Sequence, residues 1–329
     1  MKDFMHFNAC SVDEAVALLQ RYGGKADMIA GGTDLLGKMK DRNLPDYPEA
    51  LINIKTIPGL DEIREQDGAL SIGALATLAQ VADHPLIRRK YTAIAAAAGR
   101  TASPQLRNMG TIAGNLCQDI RCWYYRTPNN RFSCLRKGGG RCYAIRGDNR
   151  YHSIFGGSVE GGCYAVHPSD TAPAVLAMNA GIVTSKRIIP ASEFFQVGVH
   201  HTTVLDRDEI VTAIRVPEPE PGTSSAFLKF ALRKSIDFPI VNCAAVIRRE
   251  KDAVTHVRIY LNAVSVVPRR ALAAERALTG KAIDETSAEA AGKAAVAEAK
   301  PMEANAYMVT IAKALVQRTI LACGAVSGG

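Results

Sequence analysis

Between Asn115 and Val166 the chain loses the periodicity that regular structure requires, although helix and strand signals continue on both sides. An aperiodic stretch of about 45 residues is uncommon inside a compact domain and is usually functional. Any fold must therefore carry this stretch as an insert. Five of the eight cysteines lie in it: Cys117, Cys122, Cys134, Cys142 and Cys163. So does most of the charge. The whole chain has 40 Lys and Arg against 32 Asp and Glu, a formal charge of +8. Arg121, Arg126, Arg131, Arg136, Lys137, Arg141, Arg146 and Arg150 face a single acid, Asp148, so the segment carries nearly all of that excess. Trp123, Tyr124, Tyr125, Phe132 and Tyr143 are interleaved with it. Taken alone, that pattern predicts a nucleic-acid surface.

The cysteines point elsewhere. The N-terminus, Met1-Lys2-Asp3-Phe4, has no apolar h-region. A cleaved Sec signal is therefore not expected, and neither is a secreted disulfide framework. No apolar run reaches about 18 residues, so no membrane span is expected. Zinc favours two tight C-x2-4-C pairs, and only the first interval is close to that. Well-separated thiolates on an irregular loop suit an iron–sulfur cluster, and surrounding cations suit its negative charge. Spacing alone leaves a cluster, zinc and plain thiols all open. Cys10, Cys243 and Cys323 are isolated.

Elsewhere the signals are regular. Ser11 is placed to cap a helix over Val12–Tyr22, with Glu14 at its third position and Gly23-Gly24 at its end. Strands are expected at Asp27–Ala30, Ala50–Ile54 and Ala69–Ile72, and helices at Thr77–Ala82 and Leu86–Gly99. After the insert come a helix at Ala172–Ala180 and strands at Ile182–Thr184 and Glu209–Val216. Pro217, Pro219 and Pro221 then mark a boundary. Strands at Phe227–Leu232, Val241–Arg248 and Thr255–Val264 and helices at Ala271–Leu278, Ser287–Ala299 and Ala304–Ala322 predict a C-terminal α+β unit. No H-x-x-x-H pair and no G-x-S-x-G elbow is present, and His200-His201 reads as a solvated loop.

Two glycine-centred turns can approach a ligand. Ala30-Gly31-Gly32-Thr33-Asp34-Leu35-Leu36 follows a strand, where consecutive glycines can aim several N–H groups at one anion. Gly110-Thr111-Ile112-Ala113-Gly114-Asn115 offers hydroxyl and amide donors. Neither matches a dinucleotide fingerprint or a P-loop, but together they point to a bound diphosphate.

At these residues the chain resembles the FAD-binding medium subunits of the xanthine dehydrogenase, or molybdenum hydroxylase, family. The resemblance is carried by Ile29 to Leu35, Gln105 to Leu116, Pro168 to Ala174, and the far C-terminal Ala304-Asn305-Ala306-Tyr307 with Ala312 to Val316. It covers essentially the whole chain. It implies an α+β protein with a two-subdomain FAD-binding fold of the vanillyl-alcohol-oxidase type, at 1–60 and 61–220, and a C-terminal α+β domain at 221–329. It implies FAD held by Ala30 to Leu36, by Thr111, Ile112, Ala113, Gly114 and Asn115, and by Asp170 on a ribitol or ribose hydroxyl. Thr101 and Lys229 are implied near the flavin.

The insert, at about 117–165, is similar to that of family members carrying an additional 4Fe–4S cluster, namely 4-hydroxybenzoyl-CoA reductase β subunits and bacterial aldehyde oxidoreductases. Cys122, Cys134, Cys142 and Cys163 fall where those proteins have ligands, and Cys117 does not. The resemblance thus implies a cytoplasmic oxidoreductase subunit, or one exported only with a signal-bearing partner. It would exchange electrons between a small subunit with two 2Fe–2S clusters and an external carrier such as ferredoxin. A molybdopterin-containing large subunit would act on an aldehyde, an N-heterocycle or an aromatic compound. The alternatives are a reductive CoA-thioester complex fed by ferredoxin and, in another class, a nucleic-acid-binding or zinc-structured scaffold. The flavoprotein reading expects neither a nucleic-acid nor a membrane partner.

Overall fold

The computed structural model describes residues 1–44, 46–157, 162–199 and 201–325. Strands β1 (Met5–Asn8), β2 (Ala26–Ile29) and β3 (Ala50–Asn53) form a parallel sheet in the order β1-β3-β2. Helix α1 (Val12–Arg21) joins β1 to β2 and begins where Ser11 predicts: its hydroxyl accepts the Glu14 amide, and the Glu14 carboxylate accepts the Cys10 amide. Helix α2 (Leu35–Asp41) leaves the first glycine turn. Ala15, Leu19 and Ile52 are buried in the core of this layer.

The second sheet is antiparallel. It contains β4 (Ile63–Gln66), β5 (Ala69–Gly73), β6 (Gly181–Thr184), β7 (Ile188–Pro190) and β8 (Val211–Pro217), in the order β4-β5-β8-β6-β7. Helices α3 (Leu78–Asp83), α4 (Pro85–Lys90), α5 (Thr92–Gly99), α6 (Pro104–Arg107), α7 (Ile112–Leu116), α8 (Thr171–Ala177) and α9 (Ala191–Phe194) belong to this part. Ala93, Ala97 and Ala98 of α5 and Ala172, Ala174 and Ala177 of α8 are fully buried in one core with Ile72, Ile182 and Ile214. Small side chains there let the α5 and α8 backbones approach closely. The third sheet, β9 (Thr223–Phe230), β10 (Val241–Glu250), β11 (Ala253–Asn262) and β12 (Arg269–Arg270), is antiparallel in the order β12-β11-β10-β9. Helices α10 (Leu272–Leu278), α11 (Glu285–Ala295) and α12 (Tyr307–Ala325) pack with it.

Several expectations change. The single helix expected at Leu86–Gly99 is two, because Tyr91 leaves the helical region (φ −125°, ψ 49°) while its side chain is fully buried. Strand β4 was not expected. Its sequence, Ile-Arg-Glu-Gln, lacks apolar alternation, and only the Asp67-Gly68 turn, with both residues at positive φ, marks the hairpin. Strands β1, β7 and β12 are also additional; all three are short. Helix α12 is long and apolar enough by length and composition to cross a membrane. Its Met308, Ala312, Leu315, Val316 and Ile320 are buried against the third sheet, at roughly 1.5–3 kcal/mol for each large side chain. Between α7 and α8 the described residues of the insert hold only three short 3-10 turns, at Pro128–Asn130, Leu135–Lys137 and Tyr143–Ile145. Residues 158–161 of the insert and His200 lie outside the described residues.

Candidate flavin site and cysteine segment

The two glycine turns meet face to face. A Cβ on Gly31 would overlap the Met109 carbonyl, so only glycine permits this approach, and Gly32 takes a left-handed φ of +70°. Between the turns lies a cleft of about 370 Å³. Of the expected residues, Ala30, Gly31, Gly32, Thr33, Asp34, Leu35, Thr101, Thr111, Ala113, Gly114, Asn115 and Asp170 line it. Leu36, Ile112 and Lys229 are not among its lining residues.

The turns contribute differently. Among the described residues the amides of Gly31, Gly32, Thr33 and Asp34 have no acceptor, which leaves four successive donors open at the cleft. In the second turn the amides are occupied. Ile112 donates to the Ala76 carbonyl (2.9 Å), Ala113 to Ala74 (3.2 Å), Asn115 to Thr111 (2.9 Å) and Gly114 to the Thr111 hydroxyl (3.1 Å). Only the Thr111 amide stays open there. Thr111 caps α7, and the amides from Ile112 to Asn115 are drawn into the fold. The Asn115 carboxamide oxygen accepts the Ser169 and Thr171 hydroxyls, both at 2.6 Å, which ties α8 to the cleft.

Asp170 and Lys229 form one buried pair at 2.7 Å, each side chain at most 5% exposed. Asn242 donates to the other Asp170 oxygen (2.8 Å), and Lys229 also donates to the Arg100 carbonyl (3.0 Å). Burial raises the Asp170 pKa, and Lys229 and Asn242 offset this only in part. Lys229 therefore bears on the cleft through Asp170.

Asp34 faces the insert. Its Oδ1 accepts Arg126 Nη1 (2.6 Å) and its Oδ2 accepts the Asp119 amide (3.0 Å). Burial would raise the Asp34 pKa, but Arg126 and Lys38 hold it below the ordinary carboxylate range. Asp119 is also held low, against burial, by Lys38, Arg126 and Arg136, and it accepts the Tyr125 hydroxyl at 2.5 Å. Arg136 donates further to the Gly198 and His201 carbonyls. Much of the segment's positive charge is thus internal. Arg136 and Lys137 are buried and Arg121 and Arg126 half-buried, whereas Arg131, Arg141, Arg146 and Arg150 are exposed.

Sequence reasoning passed over further cleft residues: Asp27, Lys38, Cys117, Gln118, Arg121 and Phe238. Asp27 had a signal, as a carboxylate inside an apolar strand just before a Gly-Gly turn. Burial raises its pKa. Phe238 had none, since it arrives from the β9–β10 connection. Cys117 lies in the flavin cleft, its thiol pushed up to about 12 by burial.

The four proposed cluster ligands share a neighbourhood. Burial pushes Cys122 up to about 12, with Cys163 and Cys134 adding to it, and Cys163 up to about 11, with Cys142 and Cys134 adding. Cys134 is raised by burial and by Cys142. Yet among the described residues no three His, Cys, Asp or Glu side chains come together as a metal-holding group. The predicted ligand set Cys122, Cys134, Cys142 and Cys163 is therefore a set of neighbours rather than an assembled cage. Its surroundings nonetheless suit thiolate ligation. Backbone amides of Tyr124 and Tyr125 favour the Cys122 thiolate, those of Arg136 and Lys137 favour that of Cys134, and that of Ala165 favours Cys163. His152 Nε2 lies 3.2 Å from Cys122 Sγ, and burial holds this imidazole at about 4, hence neutral.

A second cavity, about 770 Å³, adjoins Cys122 and shares Arg121, Pro168, Asp237 and Phe238 with the flavin cleft. The Arg121 guanidinium stacks 3.6 Å from the Phe238 ring centroid, and the pair stands where the two spaces meet.

A glycine-walled cleft of open amides, set between a parallel sheet and an antiparallel one, is the site of a protein that binds a phosphate-bearing cofactor. Residues 2–219 match the family described as "FAD binding domain in molybdopterin dehydrogenase", and residues 226–323 the "CO dehydrogenase flavoprotein C-terminal domain". The chain is 34% identical to the aldehyde oxidoreductase FAD-binding subunit PaoB of Escherichia coli, over 95% of this chain and 96% of that one. It is 31% identical to the carbon monoxide dehydrogenase medium chain of Hydrogenophaga pseudoflava, over 89% and 86%. A solved structure of carbon monoxide dehydrogenase from Hydrogenophaga pseudoflava superimposes with a TM-score of 0.77 at 30% identity, covering 98% of both chains. The chain belongs to the FAD-binding subunits of the xanthine dehydrogenase, or molybdenum hydroxylase, family.

Proposed function

We propose that this chain is the electron-transfer subunit of a molybdenum-hydroxylase-type complex, carrying FAD and a 4Fe–4S cluster. The observation that carries the flavin part is the run of four open amides at Gly31 to Asp34, with the Thr111 amide also open at the same cleft. Such a cradle suits the two negative phosphates of a dinucleotide. Gly31 to Asp34 and Thr111 would hold the diphosphate, Asp170 a hydroxyl, and Thr101 and Asn115 the remaining wall. FAD, when bound, supplies a junction between two-electron and one-electron transfer.

Cys122, Cys134, Cys142 and Cys163 would hold the cluster, which supplies a one-electron port. The amides around three of these thiols support this, as does the wall of Arg121 and Phe238 that the cavity beside Cys122 shares with the flavin cleft. Loading the cluster must draw the four thiols closer than they stand.

The partners in this reading are a molybdopterin-containing large subunit and a small 2Fe–2S subunit, with units at 1–60, 61–220 and 221–329 in this chain. The relation to PaoB favours an aldehyde as the complex's substrate. Exposed Arg131, Arg141 and Arg146 suit an acidic one-electron carrier of the ferredoxin type. The test is an absorption spectrum with flavin, iron and zinc quantitation on anaerobically purified protein. About one FAD and four irons per chain are expected. Zinc without iron would remove the cluster, and a colourless protein that binds DNA would remove the whole reading.

A further inference from the structure

Among the described residues two cations line the flavin cleft, Lys38 and Arg121. Lys38 is paired with Asp119. No described carboxylate pairs with Arg121, and its Nε is buried without a hydrogen-bond partner. The acids of the neighbourhood are already engaged: Asp34 by Arg126, Asp119 by Lys38 and Arg136, and Asp237 by Arg233. The fold nevertheless fixes where Arg121 stands. Its amide donates to the Val166 carbonyl (2.8 Å), and its carbonyl accepts the Val166 amide (3.0 Å). Two residues earlier, the Asp119 amide donates to Asp34 of the first glycine turn (3.0 Å). The guanidinium itself lies on the Phe238 ring, 3.6 Å from the centroid. With one face on a ring, a guanidinium keeps its in-plane N–H donors free, and that fork matches two phosphate oxygens. A cation held out of water without a partner is costly, and a fold tolerates it where an anion arrives to share the site.

We propose that Arg121 is the counter-cation for the diphosphate of the bound dinucleotide, completing the cradle that the amides of Gly31 to Asp34 begin. This rests on the reading that the cleft holds FAD. Four open amides bring only partial charges, whereas a diphosphate brings two full negative ones. Arg126 already neutralises Asp34, so it does not answer the incoming charge. Arg121 is the cleft cation left unengaged, and Phe238 sets the plane of its fork. Since Arg121 lies in the insert, the insert takes a direct part in holding the cofactor. The flavin-free protein, by contrast, carries this cation uncompensated.

The test compares the full chain with Arg121→Met, which keeps an apolar stem on Phe238 without the charge, and with Arg121→Lys, which keeps the charge without the fork. Each is stripped of flavin and titrated with FAD, with the dissociation constant read from flavin fluorescence. The thermal midpoint of each flavin-free protein and the midpoint potential of the flavin at saturating FAD are read alongside. Arg121→Met is expected to bind FAD about tenfold to a hundredfold more weakly, as the loss of a charge-assisted pair implies. Arg121→Lys is expected to fall between that variant and wild type. Flavin-free Arg121→Met is expected to melt no lower than wild type. Unchanged FAD affinity in Arg121→Met would overturn the proposal. A more negative flavin potential with unchanged affinity would also overturn it, by placing the cation at the ring. So would a flavin-free Arg121→Met protein that melts lower or does not fold, since the arginine would then be serving the empty fold. A wild-type chain that binds no FAD removes the flavin reading and this proposal together, whereas an FAD-binding wild type matched by Arg121→Met removes this proposal alone.

Discussion

Arg126 donates to Asp34 at 2.6 Å and so fastens the insert to the glycine turn that opens the flavin cleft. The same guanidinium donates to the Asp119 and Ile120 carbonyls, so one side chain closes a loop over three residues of the insert and one of the turn. Its loss leaves Asp34 half-buried without its main cation. Arg126→Gln is expected to cost about 2–4 kcal/mol of stability and to weaken FAD retention more than tenfold. Urea unfolding and flavin released on gel filtration measure the two effects. Unchanged flavin content would mean that Asp34 does not need the insert.

Gly31 permits no side chain. Gly31→Ala is expected to push the two turns apart, costing about 1–3 kcal/mol and most of the bound flavin. Gly37→Ala, in α2 with open space around its Cβ position, serves as the control and is expected to retain flavin. Flavin absorbance per chain reports both.

The Lys229–Asp170 pair is expected to behave as a unit. Lys229→Met strands a buried carboxylate and should cost about 3–5 kcal/mol. The double variant Lys229→Met with Asp170→Asn should regain a large part of that loss, since the amide carries no charge to strand. A double-mutant cycle on thermal and urea unfolding gives the coupling. Additive losses would show the two side chains to be independent.

His167 is fully buried, and burial holds it at about 4 against an ordinary 6.5. Between those values the unfolded chain binds a proton that the fold refuses. Its contribution is therefore complete above about pH 6.5 and is lost as the pH falls toward 4, up to about 3 kcal/mol. His167→Gln should flatten the stability profile over that range. The measurement is the unfolding free energy at half-unit pH steps.

Where sequence reasoning succeeded, the cause was local. Ser11 and Glu14 cap α1 through atoms three residues apart, and β10 carries the apolar run Cys243 to Ile247. The glycine turns were legible because glycine at a close approach has few other uses. Lys229 was expected beside the flavin, and its pairing with Asp170 could not be read from positions 59 residues apart. Tyr91 divides a helix that every neighbouring alanine favours, because burying its ring outweighs propensity. The thiols were legible as a group, but their separation within the fold was not, since spacing along an aperiodic insert sets no distance in space.

The Asp34 clamp also bears on how the chain comes to be made. Its partners lie 85 and 92 residues downstream, and Phe238 joins the same cleft some two hundred residues after the first glycine turn. During synthesis the parallel sheet can therefore form long before the cleft does, and an amino-terminal fragment that ends ahead of the insert would carry the dinucleotide turn in an open, unclamped form. Contacts of such long sequence separation form late. Flavin capture is thus a closing event of biogenesis, and a ribosome stalled before the β9–β10 connection has emerged holds a chain with secondary structure but no completed place for its cofactor.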